Sequence, residues 1–76
     1  MSWNYRILAH EEEEGDSLAI HTVYYTQKEP VRYSERPSFV TGGTVDDIFK
    51  NMRQLQLSLE KPILYAGDKF PQIYKP

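Results

Sequence analysis

Two stretches near the start of the chain alternate apolar and polar side chains with the period of an extended strand. Trp3 to His10 (WNYRILAH) and Ser17 to Thr26 (SLAIHTVYYT) are rich in aromatic and β-branched residues, and both predict strands. Glu11 to Asp16 (EEEEGD) interrupts the pattern and supplies Gly15 for a turn, so the strands read as an antiparallel hairpin. A two-residue loop at Gly15–Asp16 pairs Leu8 with Val23 and His10 with His21. Because alternate residues point to opposite faces, Trp3, Tyr5, Ile7, Ala9, Leu18, Ile20, Thr22 and Tyr24 share one face. Asn4, Arg6, Leu8, His10, Ala19, His21, Val23 and Tyr25 share the other. The first face is the more apolar and is expected to receive a helix; the second is expected to stay open.

A helical period takes over at Thr44 to Lys61 (TVDDIFKNMRQLQLSLEK), where Val45, Ile48, Phe49, Met52, Leu55 and Leu59 form one apolar stripe. Thr44 stands at the N-cap position with Asp47 three residues on, a variant of the capping box. Asp46 and Asp47 put negative charge where the helix dipole favours it, and Pro62 ends the helix. The stripe predicts Ile48, Met52, Leu55 and Leu59 buried against the sheet, with Phe49 and Val45 beside them. Between hairpin and helix, Gln27 to Pro30 suggests a second turn, Val31 to Ser34 a third strand, and Ser38 to Val40 a further short one leading to Gly42–Gly43. Pro62 to Tyr65 offers a last strand, confined by its leading proline to an edge or a strand start. Residues 66–76 (AGDKFPQIYKP) are expected as a loosely ordered tail on a single domain of residues 1–65. The order β-β-β-α-β predicts an α+β domain: a mainly antiparallel sheet of three to four strands with one amphipathic helix packed on one face.

Composition narrows the functional classes. A chain of 76 residues is one small domain, and it buries only about 60–65% of its unfolded surface. It has no cysteine, so disulfides and thiolate metal sites are excluded as supports, and oligomerisation becomes an expected one. The lack of cysteine fits a cytoplasmic location. A net charge of −2 argues against a general nucleic-acid binder. The first residues show no signal-peptide pattern, and no apolar run approaches the length of a membrane span.

The stretch Phe39 to Ile48 (FVTGGTVDDI) joins a strand end, a glycine turn and a threonine-capped acidic first turn. With the two-stranded start before it, this layout resembles the HicB-like antitoxin fold, a partial ribonuclease H-like domain, from about Tyr5 to Leu64. The resemblance implies a small non-catalytic protein-binding module that answers a small basic protein. Where that family carries a Pro-Asp-Leu-Pro-Gly-Cys-like segment, this chain has YYTQKEPVRYSERPSF. No residues are left over for the family's DNA-binding segment, so the expectation is a stand-alone member. A structural homo-oligomeric domain is the alternative.

Candidate chemistry is sparse. No Ser/His/Asp arrangement, phosphate loop or dinucleotide fingerprint is present, so no catalytic, cofactor or metal site is assigned. His10 and His21 with Glu11 and Glu12 could hold a metal only if the hairpin register brings them together. Tyr24, Tyr25, Tyr33, Arg6, Arg32 and Arg36 could form an aromatic–basic surface for single strands, against the negative total charge. The acidic run Glu11, Glu12, Glu13 and Glu14 could steer a basic partner, or simply solvate the hairpin tip. Leu57 lies about 180° from Ile48 on a helix turning about 100° per residue, so it points away from the stripe. Leu57, together with Leu8, Val23 and Tyr25 on the open sheet face, forms the expected partner-binding surface of a twofold dimer. Dimerisation through joined edge strands is slightly favoured over a face-to-face pair.

Overall fold

The computed structural model describes all 76 residues as an α+β fold: a mixed four-stranded sheet with one helix. Strands β1 (Ser2–His10) and β2 (Ser17–Thr26) form the hairpin, β3 (Glu29–Tyr33) pairs antiparallel with β2, and β4 (Leu64–Tyr65) runs parallel to β1 at the other edge. The sheet order is β3-β2-β1-β4. No helix is long and apolar enough to cross a membrane.

The hairpin register differs from the expected one. Leu8 stands opposite Ala19 and His10 opposite Ser17, while His21 faces Arg6. The loop takes all of Glu11 to Asp16, because four adjacent carboxylates repel one another in a ladder and are better solvated at a tip. Within that loop the Gly15 N–H donates to the Glu12 carbonyl and Ser17 Oγ to the Glu12 carboxylate. The slip is by an even number of residues, so every side chain keeps its expected face. The second turn is a two-residue loop with Gln27 and Lys28 both at positive φ (52° and 69°), as a type I′ hairpin requires. A bulge follows where Tyr24 pairs with Arg32 but Tyr25 with Pro30. No strand forms at Ser38 to Val40; the segment keeps a single ladder bond, from the Ser38 N–H to the Ile20 carbonyl.

Helix α1 (Val45–Leu57) continues as a 3-10 turn over Ser58–Glu60. Thr44 is its N-cap, with Oγ1 accepting from the Asp47 N–H at 3.1 Å. Gly42 is required by close approach: a Cβ there would lie 2.7 Å from Asp47 Cβ and 2.9 Å from the Ile48 nitrogen. The helix lies on the face of Tyr5, Ile7 and Ala9, as expected, and Ala9 is fully buried. The expected burial of the stripe is corrected, however. Leu55 is the buried apolar residue of α1, while Val45 (83%), Phe49 (57%), Met52 (54%) and Leu59 (68%) are mostly exposed and Ile48 is only partly covered. The line that meets the sheet is Ile48, Asn51, Leu55 and Ser58. Asn51 Nδ2 donates to Tyr5 Oη at 3.0 Å, and the buried Ser58 hydroxyl donates to the Leu55 carbonyl at 2.6 Å.

The core proper sits on the other face, which is not open. Leu8, Val23 and Leu64 form it, with Tyr25, Tyr33, Ala66 and Phe70 packed against them. Residues beyond β4, read from the sequence as a tail, turn through a 3-10 segment (Gly67–Lys69) and lie across this face. They also close the β4 edge: Tyr65 N–H donates to the Gln72 carbonyl and Tyr74 N–H to the Ile63 carbonyl, with Leu64 and Ile73 bridged. Aromatic size explains the cover, since Phe70 packs at a tilt against Tyr33, ring centroids 4.8 Å apart, and Tyr74 meets Tyr65 edge-on at 5.2 Å.

Candidate interaction surface

The residues expected as a partner surface are dispersed by the fold. Leu8 and Val23 are fully buried beneath the C-terminal segment, and Tyr25 is partly buried, its hydroxyl accepting from Arg6 Nη1 at 2.9 Å. Leu57 is exposed but lies by Trp3 and Tyr5, on the far side of the helix from the stripe. The acidic loop is divided between two roles. Glu11 pairs with Lys69 at 3.1 Å and Asp16 accepts from Tyr74 Oη at 2.7 Å, so the loop fastens the C-terminal segment to the hairpin. The bond to Glu11 holds the Lys69 ammonium above its ordinary range, and the bond to Asp16 raises the Tyr74 phenol. Glu13 and Glu14 are exposed and make no ion pair.

His10 and His21 do meet, although not as ladder partners. Their Nε2 atoms are 2.9 Å apart, reached across the small Ala19 side chain that lies between Ser17 and His21 on the same face. His21 is buried, and its Nδ1 lies 2.8 Å from the Ser34 carbonyl. A carbonyl only accepts, so Nδ1 carries the proton, and the free Nε2 lone pair of His21 accepts from His10 Nε2–H. Burial holds His21 below the ordinary histidine value of 6.5, against the bond to Ser34 and with a smaller push from His10. The pair is thus a satisfied polar element of the core's rim. No three His, Cys, Asp or Glu side chains converge to hold a metal ion.

What sequence reasoning missed is the largest concavity, a groove of about 570 Å³ between α1 and β2. Ile20, Phe49, Met52, Leu55 and Leu59 line it, with Arg53 and Gln56 as its polar members. At about 100° per residue, Val45, Phe49, Met52, Gln56 and Leu59 fall on one stripe, about 100° round the helix from the line that meets the sheet. The helical period was legible, but the stripe read from it included Ile48 and Leu55, which turn to the sheet, with Val45, Phe49, Met52 and Leu59, which turn away from it. Five of the groove's seven lining residues are apolar, so it presents mainly apolar surface to solvent. No protein-family model matches the chain, and no curated protein or solved structure matches it.

Proposed function

We propose that this chain is a non-catalytic protein-interaction domain that works as a twofold dimer. The observation that carries the reading is an excess of surface. A folded monomer of 8.9 kDa is expected to expose about 4,800 Å², whereas this chain exposes 5873 Å². The difference, about 1,000 Å², is close to the roughly 800 Å² that each partner buries in a stable interface. The radius of gyration agrees, at 13.0 Å against about 11 Å for a compact chain of this length. Seven of the 76 residues are buried, a thin core for an independent monomer. Sedimentation at tens of micromolar tests the reading: a species of twice 8.9 kDa is expected, and a clean monomer overturns it.

The HicB-like resemblance adds a second partner class, a small basic protein drawn to Glu13 and Glu14, the unpaired carboxylates of the loop. Such binding would weaken steeply with salt and on Glu13→Gln/Glu14→Gln, whereas apolar self-association would not.

A further inference from the structure

We infer that the occupant of the groove between α1 and β2 is the α1 stripe of a second copy of this chain, packed antiparallel about a twofold axis near Met52. This rests on the dimer proposed above and places its interface. Four surfaces could have served, and the fold disposes of three. The sheet face bearing Leu8 and Val23 is covered by the chain's own C-terminal segment. The β4 edge is closed by Gln72 to Tyr74, and the β3 edge is short, carries Pro30 without an N–H, and bears Glu29 and Arg32. Those are devices that keep an edge from pairing.

The helix stripe has no such guard. Val45, Phe49, Met52 and Leu59, with the partly covered Ile48, expose on the order of 500 Å², at the upper end of what the largest patch on a typical monomer leaves bare and over half of the roughly 800 Å² that one partner of a stable dimer buries. The stripe is also self-complementary. Met52 lies near the middle of the span from Val45 to Glu60, so an axis there sets Phe49 of one copy toward Gln56 of the other and Val45 toward the partner helix's C-terminal end. Antiparallel helices oppose their dipoles; the partner end that meets Asp46 and Asp47 carries Glu60 beside Lys61, and Asp46 already pairs with Lys50, so the apolar stripe and not charge carries the contact. Arg53 and Gln56 then lie at the rim, where they remain hydrated.

Because the chain has no cysteine, a single introduced thiol reports its own symmetry mate. Oxidation of Met52→Cys with copper phenanthroline is expected to yield a covalent dimer within minutes, while Val31→Cys on the β3 edge stays monomeric in denaturing gels. Phe49→Glu and Leu59→Lys alter residues exposed in the monomer, so both should stay folded by circular dichroism. Each should weaken the dimer about thirtyfold or more, the effect of losing a central anchor. Cross-linking of Val31→Cys in place of Met52→Cys, or a dimer unaffected by both charge substitutions, overturns this placement and leaves the dimer standing. A monomeric wild-type chain removes the dimer itself.

Discussion

Phe70→Ala tests whether the C-terminal segment is part of the core. Phe70 packs against the Leu8–Val23–Leu64 cluster and meets Tyr33 at a tilt with centroids 4.8 Å apart, and Tyr33 Oη in turn accepts the Gly67 N–H at 2.7 Å. Truncating a fully buried Phe costs about 3–5 kcal/mol. Phe70 is only partly buried, so about 1.5–3 kcal/mol is expected, with the ring pair accounting for about 0.5–1.5 of it. For a domain this small each kcal/mol moves Tm by about 4–8 °C, so the variant should melt at least about 6 °C lower. The measurement is urea unfolding followed by far-ultraviolet circular dichroism, at one fixed protein concentration because the proposed dimer would add to apparent stability. Ile73→Ala, in the same segment but 57% exposed, should cost less than about 1 kcal/mol. If Phe70→Ala also costs under about 0.5 kcal/mol, the segment contributes nothing and the sheet face is open in solution.

Two further outcomes follow from local chemistry. Thr44→Ala should lose about 0.5–2 kcal/mol with its bond to the Asp47 amide, and Thr44→Asn much less; equal losses in denaturant melts would show that capping is not what Thr44 does. His21 is held below 6.5 by burial, so between the folded value and 6.5 the unfolded chain binds a proton the folded chain does not. Stability is therefore complete above 6.5 and is lost as pH falls from there toward the folded value. Urea midpoints should drop from pH 7 to pH 5, and His21→Gln should flatten that drop; an unchanged slope in the variant contradicts the assignment.

The elements were legible because each rests on a local rule. β1 and β2 follow the period of two, and α1 begins at the residue that caps it. The second turn was legible only in outline, since Gln27 and Lys28 take left-handed conformations without the glycine or asparagine that usually marks them. The hairpin register was missed because Gly15 marks a turn without fixing its length, and the charge of Glu11 to Glu14 decided it. Facing survived the error, since an even slip leaves Leu8, His21 and Val23 on one side. The C-terminal segment was illegible for a different reason. Phe70, Ile73 and Tyr74 are spaced by no period, and single aromatic residues find their sites through tertiary contact with Tyr33 and Tyr65.

The candidate site shows what an apolar period does and does not specify. A stripe states that one side of a helix is excluded from water, and the nearest sheet is the natural cover. Here the sheet-facing line contains Asn51 and Ser58, polar residues that an amphipathic reading sends outward. Each is satisfied at short range, Asn51 by Tyr5 and the Thr41 N–H and Ser58 by its own helix's carbonyl, so neither opposes burial. The helix can thus dock through a half-polar line and leave Phe49, Met52 and Leu59 uncovered. The sheet receives α1 on one face and the C-terminal segment on the other, while Trp3 and Leu18 on the helix side stay more than half exposed. The stripe's rotation about 100° from the sheet therefore leaves Phe49, Met52 and Leu59 exposed on the chain's own surface.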